Sequence, residues 1–516
     1  AAVGGTAKVT ARLTVPLLRD LKLEQVGVTA EATLYDTTLS LAALRPGLTL
    51  TANRLALQAD VDRLRLQGAG RAGDMALHLD WQEEFAPQSG EPRSRLALAG
   101  SLDPAALGIR TLPDGVTLDR PLPVRMTLIR DDAPGAGFSV AADLARAALE
   151  IPALAWSKPR GGAGQVTARG RWTPGGTRID ALSLSAAGLD LRGSLQLGPD
   201  GTVERLEAER LRIGERTDIA VTLTRGPAGL DGTVTGERLD ASGLLALNRE
   251  SISDGPAPAA ALRFDIAHAR LDGRRAMHHA VGQLNSDARG AVDLSLAGSL
   301  NGVAPVTLDL KRQTDGQGRV TVRSSDAGGL LRAGGLFRRG VGGSLRAEAR
   351  LLPAADGVMR LNGEASIDGI VVGEDGALDQ LLSRADLEEA LKRLEQEGIR
   401  FDRVYAPFQW RGDRLTVVEA VAHGPTVGLT ISGDYDAAVD RLAMQGVFTP
   451  LYGLNSLIGH VPLLGPLLTG GEGQGLIALN FTLSGPAAAP DVTVNPFSAL
   501  LPGVLRQIIQ PRLAPG

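Results

Sequence analysis

An alternation of apolar and polar residues with a period of two recurs along this chain and limits what it can become. Leu55, Leu57, Ala59 and Val61 share one face, and Leu64 and Leu66 resume it. Leu189, Leu191, Leu195 and Leu197 repeat the pattern around Gly193, and Ile219, Val221 and Leu223 follow. Leu262, Phe264 and Ile266 form a further set, then Leu294 and Leu296, then Val306, Leu308 and Leu310, and late in the chain Val427, Leu429 and Ile431. Side chains two apart lie on the same side of a strand, so each set reads as a strand with one apolar and one polar face. The intervening positions carry Thr, Arg, Asp, Gln and Ser, which excludes the doubly buried strands of a doubly wound parallel sheet.

Turn signals separate these runs. Gly198-Pro199-Asp200-Gly201, Thr173-Pro174-Gly175-Gly176, Thr314-Asp315-Gly316 and Gly373-Glu374-Asp375-Gly376 each combine a residue tolerant of positive φ with one that presets a reversal. The 65 glycines show no Gly-X-Y period, so they read as turns between many strands, not as collagen. Strands of ~5–6 residues plus turns imply on the order of 25 of them. Aromatics make up only 3% of the chain, which leaves leucine, valine and alanine to cover the apolar face.

Four stretches break the alternation. Residues 326–339 place Leu330, Leu331, Leu336 and Phe337 after Asp326, which suits a helix N-cap. Residues 379–397 carry a stripe of Leu381, Leu382, Ala385, Leu387, Leu391 and Leu394, with Gly398 at the C-cap position. From Tyr452 the apolar run through Leu457, Val461, Leu464 and Leu467 is cut by Pro462 and Pro466, and residues 497–509 are kinked by Pro502 and Gly503. The chain is therefore expected to be mostly β, with a few short helices near its C-terminal part.

Composition excludes several functions. There is no cysteine, hence no disulfide, thiolate ligand or thiol nucleophile. The 54 basic residues are outnumbered by 58 acidic ones, which gives no basic face for nucleic acid. No apolar run reaches the ~18 residues of a membrane-spanning helix, and no signal peptide is visible. Ala1 falls inside a β-like pattern, so the sequence is expected to start mid-protein, with room for a membrane anchor upstream. His78, His268, His278, His279, His423 and His460 form no ligand spacing, and the adjacent His278-His279 pair cannot share one face of a strand. Asp434, Asp436 and Asp440 read as solvated strand ends. Glu83 and Glu84 beside Trp81 imitate a sugar site but read as a loop surface. No nucleotide loop or nucleophile elbow is present. No catalytic residue, metal site or cofactor is expected. Trp156, followed by Ser157-Lys158-Pro159, reads as a loop whose indole caps the open end of the core, or else as a residue at a lipid interface.

The C-terminal third carries a resemblance. Pro450-Leu451-Tyr452-Gly453-Leu454-Asn455 leads into Val461-Pro462-Leu463-Leu464-Gly465-Pro466, then Gly471-Glu472-Gly473-Gln474-Gly475, Ser484-Gly485-Pro486 and Val494-Asn495-Pro496-Phe497. With Asp326-Ala327-Gly328 to Gly342-Gly343-Ser344-Leu345 and the Trp156 segment, the chain resembles the AsmA-like superfamily of bacterial envelope proteins over roughly 150–516. The branch is the one with a DUF3971 region and an AsmA-like C-terminal region, similar to bridge-like lipid transfer proteins.

The resemblance implies a fold and a role. The fold is an elongated, twisted antiparallel β-sheet curled into an open apolar groove, with residues 1–320 as a repeating body and 321–516 as the C-terminal region that ends it. The role is non-catalytic transport of phospholipid across the periplasm between inner and outer membranes, from an inner-membrane anchor absent from this sequence. The alternative is a scaffold that organises envelope assembly without carrying lipid. Expected partners are phospholipid or another acyl lipid, the membranes at the ends of the full-length protein, and envelope proteins. Leu189, Leu191, Ile219, Val221, Leu294, Leu296, Leu308 and Leu429 are the expected groove-lining residues, and Leu464 and Leu467 are expected at the delivery end. Gly470, Gly471, Gly473 and Gly475 are expected to let that end swing.

Overall fold

A computed structural model describes residues 3–17, 26–41, 49–73, 75–102, 122–151, 154–243, 259–271, 275–287, 289, 291–334, 337, 339–352, 358, 360–373, 398–425, 427–450, 479–487 and 490–495. The expected helices at 379–397, after Tyr452 and at 497–509 lie outside these residues, as do Leu464, Leu467 and the glycines at 470–475. The chain divides into two compact units, Ala1–Ser251 and Ile252–Gly516.

Unit 1 is an antiparallel meander. Its strands are β1 (Val3–Thr14), β2 (Gly27–Ser40), β3 (Thr49–Ala59), β4 (Arg63–Ala72), β5 (Met75–Glu84), β6 (Ser94–Leu102), β7 (Leu122–Arg130) and β8 (Ala136–Asp143). A small separate hairpin follows, β9 (Leu149–Ile151) with β10 (Trp156–Lys158). The meander resumes with β11 (Gly164–Thr173) against β8, then β12 (Gly176–Ala186), β13 (Leu189–Leu197), β14 (Val203–Ile213), β15 (Thr217–Gly226) and β16 (Gly229–Asp240). Each strand of the meander pairs with the one that follows it in the meander, and among the described residues β1 and β16 do not pair with each other, so the sheet is open. Register shifts interrupt every pairing from β11 to β16. Such bulges bend a strand and increase its twist. Gly193 sits at one of them, where a Cβ would stand 1.9 Å from the Glu207 carbonyl oxygen, so only glycine fits.

Unit 2 repeats the plan with β17 (Ala260–Arg270), β18 (Ala276–Ser286), β19 (Val292–Leu300), β20 (Ala304–Arg312) and β21 (Gly318–Ser324). The break here is a helix, α1 (Ala327–Ala333), followed by the two-residue β22 (Gly340–Val341). The meander continues with β23 (Ser344–Leu352) against β21, β24 (Arg360–Val372), β25 (Ile399–Arg411), β26 (Arg414–His423), β27 (Val427–Asp436), β28 (Arg441–Pro450), β29 (Leu479–Pro486) and β30 (Asp491–Asn495). The expected cap is in place: Asp326 Oδ1 accepts from Gly329 N–H at 2.9 Å. The helix ends at Ala333, with Gly334 as its C-cap, short of residue 339.

The turn signals at 173–176, 198–201 and 314–316 join successive strands as expected. Val61 departs from expectation: it falls in the β3–β4 turn and is exposed.

In each unit the two ends of the strands differ. One, the insertion end, carries the hairpin or α1 and the longer connections, such as those between Leu102 and Leu122 and between Val372 and Ile399. The other, the turn end, carries mostly short reversals, including 173–176, 226–229, 411–414 and 436–441.

Candidate functional site

One face of each sheet is apolar from strand to strand. In unit 1, Leu55 faces Gly68, Gly68 faces Leu79, Leu79 faces Leu98, Leu98 faces Met126, and Met126 faces Val140. The same row crosses Ala168, Leu182, Gly193, Ala208 and Val221 to Val234. In unit 2, Leu262, Leu284, Leu294, Leu310 and Val320 lead to Ala349 and on to Phe408 through Gly363. Opposed side chains about 5 Å apart make such rows continuous apolar stripes.

The other face is polar. Arg65 and Asp80 meet at 2.7 Å, as do Arg210 and Asp218, and Arg171 and Asp131. In each pair the hydrogen bond from the guanidinium holds the aspartate below the usual carboxylate range.

Accessibility varies along the apolar face. Leu79 and Leu98 are buried, whereas Val166, Leu184, Leu191 and Leu211 are half-buried although they pack against the same cluster. A half-covered apolar surface still gains from contact with apolar matter.

The expected lining residues all fall on these faces. Leu189 faces Ala186 and Ile213, Leu191 faces Leu184 and Leu211, Ile219 faces Leu211 and Gly236, and Val221 faces Ala208 and Val234. In unit 2, Leu294 lies between Leu284 and Leu310, Leu296 between Gly282 and Leu308, and Leu308 also faces Val322. Leu429 faces Ala422 and Phe448. They are not equivalent, since Leu189 and Ile219 are buried near the insertion end whereas the other six are half-buried.

Several residues escaped the sequence reading. Lys158 is 1% exposed, and its Nζ donates to the carbonyls of Leu144 (2.7 Å), Ala147 (2.8 Å) and Pro159 (3.3 Å). Trp156 is 4% exposed inside the unit 1 core and donates to the Ala187 carbonyl, which fits the capping reading and removes it from a lipid interface. Both belong to strand β10, not to a loop. Glu83 and Glu84 likewise end strand β5, where Trp81 Nε1 donates to Ser94 Oγ (3.0 Å) and Glu83 Oε2 (3.2 Å). Adjacent His278 and His279 diverge, and His278 instead meets His268 across the strands with ring centroids 4.8 Å apart. Among the described residues no three His, Asp or Glu side chains cluster to hold a metal, and no helix is long and apolar enough to cross a membrane.

Comparison of the chain with family models, curated proteins and solved structures gave no match.

Proposed function

We propose that the apolar face of each sheet is a bed for acyl chains, and that the protein carries phospholipid along it without covalent chemistry, between the inner and outer membranes of a bacterial envelope. The observation that supports this is the unbroken apolar row with half-buried side chains on a sheet that does not close. Each methylene moved out of water contributes ~0.8 kcal/mol, so a chain of about sixteen carbons gains on the order of 10 kcal/mol from such a surface. An open sheet lets chains move sideways from row to row while a polar group stays wet. The resemblance to AsmA-like proteins supports the same reading and the periplasmic setting.

Mass spectrometry of lipids that copurify with the chain, with transfer between donor and acceptor liposomes, tests it. Phospholipid should copurify, and Leu308→Lys, which puts a charge on the unit 2 face, should reduce loading. A chain that carries no lipid and transfers none would overturn the proposal.

A further inference from the structure

The two ends of each apolar face are chemically different, and the difference fixes how a lipid would lie. At the insertion end of unit 1, Leu144, Leu149, Trp156, Leu189 and Ile213 form a closed core. At the turn end the same face carries amphipathic rings. Trp172, one residue before the end of β11, is half-buried and stacks on Phe138 at 4.5 Å. In unit 2, Trp410 near the end of β25 donates from Nε1 to the Gly412 carbonyl at 2.6 Å, and half-buried Tyr435 near the end of β27 donates to Asp440 Oδ1 at 3.1 Å. The polar tips of Trp410 and Tyr435 thus reach into the turns while the rings extend the floor. Such rings are favoured where an apolar phase meets water.

Guanidinium groups share these last rows. Arg130, exposed at the end of β7, faces Ser94 across the sheet, and Trp172 lies two strands away, about 10 Å. Arg312 ends β20 on the row that continues through Gly318, Leu351 and Leu361 to Trp410. A cation on an apolar face fits an anion that arrives with apolar matter attached, and guanidinium pairs well with phosphate.

Length agrees as well. Strand β13 has nine residues, about 30 Å, whereas one leaflet's acyl chains need about 15 Å, half the hydrocarbon core. A lipid whose phosphate sits at the turn end therefore keeps its tails clear of the hairpin. Resting on the reading that these faces carry lipid, we infer that the turn end of each unit is a head-group rail: phosphate lies beside Trp172 and Arg130 in unit 1 and beside Trp410 and Arg312 in unit 2, and acyl tails point toward the insertion end.

The test uses the full chain loaded with phosphatidylglycerol brominated near the head or near the tail of its acyl chains. A variant that keeps only Trp172 should lose about half its emission with the shallow bromine and little with the deep one, and a variant that keeps only Trp156 should respond to neither. Since Trp156→Phe touches a packed core, the Trp172→Phe, Trp410→Phe double variant is the second arm, and it should remove most of the shallow quenching that the wild type shows. Stronger quenching of Trp172 by the deep bromine, or none while the lipid remains bound, would overturn the orientation alone. Absence of bound lipid would overturn the underlying reading instead. Arg130→Gln should lower the preference for phosphatidylglycerol over diacylglycerol roughly tenfold. An unchanged preference, or displacement of the lipid by inorganic phosphate alone, would overturn the head-group assignment.

Discussion

The two units close the same end of the same kind of sheet with different devices. In unit 1 the plug is the β9–β10 hairpin, and its hold is polar: a buried ammonium between carbonyl oxygens. In unit 2 the plug is α1, and its hold is steric, because Gly328 lets the helix backbone lie directly on the Gly340 strand, where a Cβ would come within 2.4 Å of the carbonyl. Ala327, Leu331 and Phe337 then pack on the cluster around Ile370 and Phe401. A carbonyl cage tolerates no loss of its cation, and a backbone contact tolerates no added methyl. The comparison teaches that the closed end is a requirement of the sheet, met by whatever local sequence is available.

Each device can be broken separately. Lys158→Met keeps the length of the side chain but strips three carbonyls of their donor, and should cost about 3 kcal/mol of unit 1 stability. The measurement is a urea midpoint read in unit 1, which holds Trp81, Trp156 and Trp172, with Trp410 reporting on unit 2. An unchanged unit 1 midpoint would show that the cage contributes nothing. Gly328→Ala should cost about 2 kcal/mol by overpacking, visible through Trp410 alone. If the unit 1 signal moves instead, the assignment of the plug to unit 2 is wrong. Asp326→Ala removes the helix cap and should cost about 1 kcal/mol. A loss near that of Gly328→Ala would mean that the cap, not the backbone contact, holds the helix.

The smallest difference concerns acid. Hydrogen bonds hold Asp60, Asp80, Asp131, Asp200, Glu207 and Asp218 of unit 1 below their usual ranges, whereas among the described residues of unit 2 only Glu348 is lowered in this way. A lowered carboxylate contributes stability above its unfolded pKa of about 4, and that contribution is lost as pH falls through the folded value. Between about pH 5 and 2, the unit 1 midpoint should fall more than that of unit 2. Because these groups lie at the surface, the shift should be modest and shrink further in salt. Equal falls would remove the electrostatic distinction between the units.

Much of this was legible because a period of two survives any curvature of the sheet. Leu189, Leu191, Leu294 and Leu308 could be placed on one face from spacing alone, and Asp326 could be read as a cap from its type and position. The bulges could not be read, since Gly193 looks like an interruption in a strand and gains meaning only from the Glu207 carbonyl beside it. Lys158 was hidden for a similar reason: its partners are main-chain oxygens, which carry no signature in sequence. Trp172 and Trp410 did carry a signal in the sequence. Each stands beside a turn signal, Thr173-Pro174-Gly175 and Arg411-Gly412-Asp413, and a tryptophan placed just before a reversal on an apolar-facing position marks the boundary of a floor.

The meander has a consequence for how such a protein can change in length. Every strand pairs with a neighbour close in sequence, so a deletion or duplication disturbs one seam and leaves the rest in place. Direction alternates along the series, however. Removal of one strand would send every later connection of the same unit to the opposite margin, so that insertions would fall at the aromatic end and short turns would replace the plugs. Removal of two preserves both margins. The heritable unit of growth is therefore the hairpin, and length variants of this chain should differ by even numbers of strands.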